Sequence, residues 1–274
     1  MTTVSVITGA GGMGVPTARN LGTDHHIVLF DISQDRLDAA VAALDGIEVT
    51  TVLGDVTDRA AVDGLFATAT GIGPIASVVH TAGVSPSMGD AEFISRINAL
   101  GTVNVDEALL ALDSGAVADG AAIVNVASMA AHLVPAELIP DKLFPGALTD
   151  PDAFIAALLE TYAPFPAEAQ SGFSYAVSKG FVKWYSSAQA ERFTAAGIRI
   201  VSVSPGSVDT EMGRLEAESG AGAMVEGANV PRWGTAQEMA DLFTYCVSDK
   251  AGYLTGTDIL NDGGVVASMR ARQG

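Results

Sequence analysis

The fold of this chain is decided by Val4-Ser5-Val6-Ile7-Thr8-Gly9-Ala10-Gly11-Gly12-Met13-Gly14. An apolar strand pattern at its start leads through a glycine loop into a helical pattern. Gly9, Gly11 and Gly14 satisfy the spacing G-x-G-x-x-G. Their missing side chains let backbone amides approach a pyrophosphate at the positive end of a helix. A tight turn would also use glycines, but the position after a strand favours nucleotide binding.

Strand and helix patterns alternate along the rest of the chain. The fourth strand is almost entirely apolar, as a strand buried on both faces should be. This alternation predicts an α/β fold with a doubly wound parallel sheet of about seven strands. The predicted strands cover residues 4–7, 26–30, 47–53, 75–79, 122–126, 198–203 and 257–260.

Composition limits the classes of function. The chain has 274 residues, 49% hydrophobic and 17% charged, which suits one globular domain and excludes a disordered chain. A net charge of -18 disfavours nucleic acid and anionic membrane as partners. No apolar run is long enough to span a membrane, and the N-terminus does not resemble a signal peptide, so we expect a cytoplasmic protein. Cys246 is the only cysteine, and we predict no metal site.

The second predicted strand ends on Asp31, at about the distance from the glycines expected for an acid that binds the adenosine ribose. Such an acid repels a 2′-phosphate. No Lys or Arg occupies residues 10–13 or the next position, Ile32, so the sequence favours NAD over NADP. The alternative is that Asp31 caps the helix predicted over residues 33–45.

Tyr175-Ala176-Val177-Ser178-Lys179 places a phenol and an ammonium four residues apart, on one face of a helix. A neighbouring cation favours the phenolate, so such a tyrosine could exchange a proton with an alcohol or carbonyl oxygen. The same spacing also occurs on ordinary surface helices. Ser128 follows the fifth strand, at the edge where open α/β sheets bind ligands.

Two segments interrupt the alternation. Residues 130–172 contain six prolines and one clear helix, with Asp150 as its N-cap and Pro151 at its first position. We expect an inserted helical flap that either lines the substrate pocket or covers the sheet and shapes a subunit contact. Residues 213–233 have no firm periodicity, so we expect a mobile loop near the substrate.

In this order the motifs resemble the short-chain dehydrogenase/reductase family across nearly the whole chain. The resemblance implies a single-domain Rossmann fold over residues 1–274. It is carried by the glycine loop, Asp31, Asp55-Val56, Ala82-Gly83, Asn98, Ser128, Tyr175-x-x-x-Lys179, Pro205-Gly206-x-Val208-x-Thr210-x-Met212 and Asp262-Gly263-Gly264.

The resemblance also implies roles. Tyr175 would be the general acid or base, Lys179 would lower its pKa and hold the nicotinamide ribose, and Ser128 would bind the substrate oxygen. Asn98 would support a water that links the lysine to solvent. The residues expected to bind NAD(H) are Gly9, Gly11, Gly12, Met13, Gly14, Asp31, Asp55, Val56, Ala82, Gly83, Tyr175, Lys179, Pro205, Gly206, Val208 and Thr210.

Each of these assignments has a structural alternative. Asn98 could bond a backbone carbonyl, Ser128 could be a turn hydroxyl, and Asp55 and Thr210 could be helix caps. His80, where the family usually has asparagine, could contact the cofactor or be a structural histidine at a strand end.

Two further departures from the family pattern concern spacing. The glycine loop is one residue shorter than usual. The gap of 47 positions from Ser128 to Tyr175 is longer than usual, as in the 3α-hydroxysteroid dehydrogenase/carbonyl reductase type.

The function that the resemblance implies is an NAD(H)-dependent oxidoreductase that interconverts a secondary alcohol and its ketone. Two alternatives remain, an epimerase or dehydratase that uses NAD transiently and an NAD(H)-sensing protein without turnover. The partner would be a small-molecule alcohol or ketone, and family members often form homo-oligomers (dimers or tetramers) through helices near residues 90–112 and 174–196. The sequence does not identify the substrate.

Overall fold

Seven parallel strands form the centre of the computed structural model, which describes residues 2–217 and 222–273. The strand order is β3-β2-β1-β4-β5-β6-β9, so it reverses beside the first strand. This arrangement confirms the predicted doubly wound α/β fold. The strands are β1 (Val4–Thr8), β2 (His26–Asp31), β3 (Val49–Leu53), β4 (Ile75–His80), β5 (Val117–Val126), β6 (Arg199–Pro205) and β9 (Asp258–Asn261), with β7 (Val208–Asp209) and β8 (Gly234–Thr235) forming a separate parallel pair.

Helices cover both faces of the sheet because successive side chains of each buried strand point to opposite faces. Val6 belongs to a core cluster with Phe66 and Phe181, whereas Ile7 belongs to a second cluster with Leu37 and Phe243. The helices are α1 (Gly14–Leu21), α2 (Gln34–Ala43), α3 (Arg59–Ile72), α4 (Ala91–Ser95), α5 (Gly101–Leu110), α6 (Pro151–Tyr162), α7 (Ala167–Ala188), α8 (Ala190–Ala195), α9 (Glu211–Glu216), α10 (Gly222–Glu226), α11 (Ala236–Val247) and α12 (Val265–Gln273).

The helix predicted near residues 90–112 is interrupted. A π-helical turn, Arg96–Leu100, separates α4 from α5 and contains Asn98. Such turns insert one extra residue per turn and are frequent at functional sites. Periodicity did not indicate this interruption, since the apolar pattern continues on both sides of it.

The insertion after β5 begins as predicted but ends earlier. Short 3₁₀ turns occupy much of residues 129–148, and α6 follows with Asp150 accepting a hydrogen bond from the Ala153 amide, as its predicted cap should. Residues 167–172, assigned to the flap, instead form the first turns of α7. Packing overrides the low helix propensity of Gly172 there.

The insertion packs against α7 through aromatic rings. Phe144 lies edge to face with Phe181, with their ring centroids 5.3 Å apart, and Phe154 lies 5.4 Å from the same ring. Trp184 completes this cluster at 5.5 Å from Phe144. The insertion thus covers the apolar side of α7.

The segment predicted as a loop over residues 213–233 has more structure than expected. Its start belongs to α9, residues 222–226 form α10, and the predicted loop residues 218–221 lie outside the described part of the chain. No helix within the described ranges is long and apolar enough to cross a membrane.

Candidate active site

The glycine loop follows β1 and turns sharply into α1. Gly9 has a φ of +88°, and a Cβ on Gly14 would lie 1.9 Å from the Gly9 carbonyl oxygen. A side chain at Gly14 would therefore displace the backbone. Thr81 fixes the loop from the next strand end by donating to the Thr8 carbonyl oxygen over 2.7 Å.

The apex of the loop offers unpaired backbone donors. Within the described ranges, the amides of Gly11, Gly12 and Met13 donate no hydrogen bond, and a Cβ on Gly11 would have no heavy atom within 4 Å. Adjacent amides at a helix N-terminus form an anion-binding concavity. A Cβ on Gly12 would lie 2.5 Å from Thr210 Cγ2, so the loop also contacts the segment after β6.

Asp31 lies at the end of β2 and faces the glycine loop. Its Oδ2 accepts from the Ala10 amide over 2.8 Å, and its Oδ1 accepts from the Ser33 amide over 2.9 Å. The cap of α2 is Ser33, whose hydroxyl accepts from the Arg36 amide, so the alternative role of Asp31 as the helix cap is wrong. Each carboxylate oxygen keeps a lone pair for another donor.

Asp55 and Val56 follow β3. Asp55 Oδ1 accepts from the Thr57 amide over 2.8 Å, whereas the cap of α3 is Asp58. Val56 is buried, and its carbonyl oxygen accepts from Asn104 Nδ2 over 2.8 Å. Backbone bonds thus fix this pair at the same sheet edge as the glycine loop.

The turn after β4, which contains Ala82 and Gly83, comes close to two predicted catalytic residues. A Cβ on Gly83 would lie 3.0 Å from Asn98 Oδ1 and 3.2 Å from Lys179 Nζ. Larger side chains would crowd both groups. The absence of a side chain at Gly83 therefore has a packing reason.

Asn98 holds this turn with both ends of its amide. Its Oδ1 accepts from the Val84 amide over 2.9 Å, and its Nδ2 donates to the Val84 carbonyl oxygen and to Ser178 Oγ over 3.1 and 3.2 Å. The side chain is 1% exposed. The structural alternative for Asn98, a bond to a backbone carbonyl, is therefore present.

Tyr175, Lys179 and Ser128 meet where α7 crosses the end of β5. The Ser128 side chain lowers the pKa of the Tyr175 phenol, and its hydroxyl accepts from the Ala130 amide over 3.2 Å. Lys179 Nζ lies 6.0 Å from the Tyr175 ring centroid and donates to the Val126 carbonyl oxygen over 2.8 Å. Ser128 is thus both a turn hydroxyl and a neighbour of the phenol.

The segment after β6 closes the site. Val208 is buried, and a Cβ on Gly206 would lie 2.6 Å from Asp262 Cα, which places Pro205 and Gly206 against the turn after β9. Thr210 caps α9 by accepting from the Gly213 amide over 3.0 Å, so its predicted alternative as a cap is confirmed.

Residues 3–140, about half of the chain, match the family model described as short chain dehydrogenase. The chain belongs to the short-chain dehydrogenase/reductase family. Residues 162–266 also match a model described as enoyl-(acyl carrier protein) reductase.

Relatives in this family extend over nearly the whole chain. The short-chain dehydrogenase/reductase bsc3 of Alternaria brassicicola is 29% identical over 270 residues, 96% of each chain. A galactitol 2-dehydrogenase (L-tagatose-forming) of Cereibacter sphaeroides is 27% identical, covering 95% of this chain and 93% of the relative. Solved levodione reductase has a TM-score of 0.75 at 23% identity, covers 97% of this chain and 99% of its own, and shows the fold alone.

As a short-chain dehydrogenase/reductase, the protein is an oxidoreductase of a family that uses nicotinamide cofactors. The residues present fit such a group. The unpaired amides of the glycine loop suit a pyrophosphate, and the free lone pairs of Asp31 suit ribose hydroxyls.

The pKa values of the two central groups are both perturbed by burial. Burial raises the pKa of Tyr175 above its usual value, the Ser128 hydrogen bond lowers it, and the charge of Glu216 raises it further. Desolvation of the phenolate is the largest of these effects, and the lowering by Lys179 stays a prediction. Burial also lowers the pKa of Lys179 to about 8.

Glu216 is a site residue that sequence reasoning missed. It ends α9, and its Oε1 accepts from Ser85 Oγ over 2.7 Å and from Ser87 Oγ over 2.5 Å. Its charge raises the pKa of Tyr175, so this acid acts on the site electrostatically. No motif marks this acid, since it lies in the segment without periodicity.

His80 is the last residue of β4 and lies beside the site. Its Nδ1 hydrogen-bonds to Thr8 Oγ1 over 2.6 Å, whereas its buried Nε2 has no partner within the described ranges. Burial, together with a smaller effect of the Lys179 charge, lowers the pKa of His80 to about 3. The imidazole is therefore neutral, and its bond to Thr8 fits the structural alternative.

Proposed function

We propose that this enzyme interconverts a secondary alcohol and its ketone with NAD(H), using Tyr175 as the group that donates or accepts the proton. The observation that carries the proposal is the position of Tyr175, whose ring centroid lies 6.0 Å from Lys179 Nζ and whose pKa is lowered by Ser128, at the same sheet edge as the glycine loop. Two adjacent hydroxyls can hold one carbonyl oxygen from two sides.

The protonation states favour ketone reduction at neutral pH. Because burial and Glu216 raise the pKa of Tyr175, its phenol keeps its proton and can donate it to the carbonyl oxygen. When bound, a nicotinamide cofactor would supply the hydride for the carbonyl carbon. Ser128 would orient the same oxygen.

Lys179 supports the tyrosine through its charge. With a pKa of about 8, its ammonium is mostly protonated at pH 7 and stabilises the phenolate that remains after proton donation. Asn98 would keep the turn beside Lys179 in place and could support the predicted water. The buried amide acts in this proposal chiefly as a positioning group.

Cofactor choice is proposed to be NAD. The support is Asp31, which is 7% exposed and has no cation directly after it, so a 2′-phosphate would face a fixed carboxylate. The nearest candidate cation on α2 is Arg36, whose Nη2 lies 4.0 Å from Glu211 Oε2. That carboxylate competes for the guanidinium.

Replacing Asp31 tests this choice. Asp31→Ser should lower the preference for NADH over NADPH by about tenfold or more, since removing about 1.4 kcal/mol of repulsion changes a binding ratio tenfold. The ratio of kcat/KM values measures it, with exposed Asp38→Ser on α2 as the matched control. A wild-type enzyme that prefers NADPH would refute the assignment.

The finer substrate class and the oligomeric state are part of the proposal. The long insertion supports the carbonyl reductase or hydroxysteroid dehydrogenase type, although its aromatic side chains pack against α7. We propose that the substrate instead meets the hydroxyls of Ser85 and Ser87 and the carboxylate of Glu216, which hydrogen-bond to one another. We also propose a homodimer or homotetramer, which light scattering after size exclusion would measure.

A single panel assay tests the reaction class. The full chain is incubated with NADH and ketones, or with NAD and secondary alcohols, while absorbance and products are followed together. We expect stoichiometric NADH consumption and alcohol formation. Substrate conversion without net NADH change would favour an epimerase or dehydratase, and NADH binding without any conversion would favour a sensing protein.

A further inference from the structure

A cavity of about 1080 Å³ lies between the insertion, the second half of α7, β9 and α12, and we call it the α7–α12 cavity. Ser128, Tyr175 and Lys179 do not line it. Its volume slightly exceeds the range of roughly 300–1,000 Å³ that is usual for small-molecule sites. The proposed reaction therefore leaves this cavity without a role.

A polar cluster forms one wall of the α7–α12 cavity. Lys183 Nζ donates to His132 Nδ1 over 3.2 Å, and His132 Nε2 donates to Asp258 Oδ2 over 2.8 Å. The other carboxylate oxygen accepts from the buried Ser202 hydroxyl over 2.6 Å. These bonds fix the Asp258 carboxylate, while the ammonium keeps two further N–H donors.

Two cations face this cavity. Lys183 and Arg270 both line it, one from α7 and the other from α12. Burial lowers the pKa of Lys183, Arg270 lowers it further, and Asp258 opposes this effect. The repulsion between the two cations would be relieved by an anion between them. Asp141, also on the wall, is the remaining acid.

The rest of the wall is largely apolar. The side chains that form it include Ile139, Trp184 and Met269, and a Cβ on Gly180 would meet only Ile139 atoms, at 3.8 Å. Inorganic anions would leave this surface uncovered. A ligand that satisfies both parts of the wall needs a negative head and a hydrocarbon body.

We propose that the α7–α12 cavity binds a medium-chain organic carboxylate, with the head group between Lys183 and Arg270 and the chain against Ile139, Trp184 and Met269. The site is separate from the proposed active site, so it does not depend on the proposed reaction. Its position between the insertion and the helix that carries the catalytic residues gives the insertion a binding role.

Calorimetric titration of decanoate into the full chain tests the proposal, with 1-decanol as the uncharged probe of equal chain length. We expect decanoate to bind at least about tenfold more tightly than decanol. Lys183→Met should weaken decanoate binding about tenfold, the usual scale for one charge-assisted hydrogen bond. The exposed Lys250→Met is the matched control and should bind as wild type does.

Gly180→Leu provides a second variant that does not remove a charge. Leucine is a better helix former than glycine, so α7 should form, while the new side chain fills the cavity. We expect decanoate binding to be lost. The proposal is overturned if wild type binds no decanoate, if decanol binds equally well, if Gly180→Leu binds normally, or if saturating NADH displaces decanoate.

Discussion

Replacing Asn98 with alanine should lower the stability of the folded chain. In Asn98→Ala, three hydrogen bonds disappear, and the Val84 amide and carbonyl oxygen lose a buried partner. Each buried group left unsatisfied costs about 1–3 kcal/mol, and water entering the space would recover part of this. We therefore expect the free energy of unfolding to fall by about 2–4 kcal/mol.

Urea unfolding followed by circular dichroism would measure this loss. Asn104→Ala is the matched control, because Asn104 lies on α5 and its side-chain amide makes one hydrogen bond, to the Val56 carbonyl oxygen over 2.8 Å. The control should lose about 1 kcal/mol. Equal losses in the two variants would refute the inference that Asn98 clamps the turn after β4.

Two further predictions concern titration. Below pH 8 the buried Lys179 is charged in both states, and burial of the charge costs about 3 kcal/mol from the gap between pKa values of 10.5 and about 8. Lys179→Met should therefore raise the free energy of unfolding in urea by about 2 kcal/mol at pH 7, after the loss of the lysine's hydrogen bond is subtracted. The wild type should recover stability between pH 8 and 10, because the folded state releases the lysine's proton in that range. Parallel curves of stability against pH for the two proteins would contradict this. Glu216→Gln keeps an acceptor for Ser85 but removes the charge that raises the pKa of Tyr175. In the pH profile of kcat/KM for alcohol oxidation, the acidic limb should therefore move to lower pH. The control Glu211→Gln, on the same helix, should leave that limb in place.

The fold could be predicted from the sequence because its signals are local. A short, almost entirely apolar run such as residues 75–79 favours a strand buried on both faces, and glycine and helix-cap residues mark where such runs end. The start of α7 could not be predicted, since Ser171 and Gly172 disfavour a helix alone. Ser171 donates to the Gly89 carbonyl oxygen, a partner 82 residues away.

The candidate site was predictable only where a motif marks it. Tyr175 and Lys179 are four residues apart on a helix, so their proximity follows from helix geometry. Glu216 contacts Ser85 across 131 positions of sequence, and no periodicity predicts that contact. The direction of the Tyr175 pKa also depends on burial, which its neighbours in sequence do not reveal.

The proposed role of Tyr175 is tested most directly by Tyr175→Phe, measured beside the fully exposed control Tyr253→Phe. Both NADH affinity, from fluorescence, and single-turnover ketone reduction are measured on the full chain. We predict that Tyr175→Phe loses turnover by about 10²-fold or more while NADH affinity changes little, because only the proton donor is removed. Turnover in Tyr175→Phe equal to that of Tyr253→Phe would contradict the assignment.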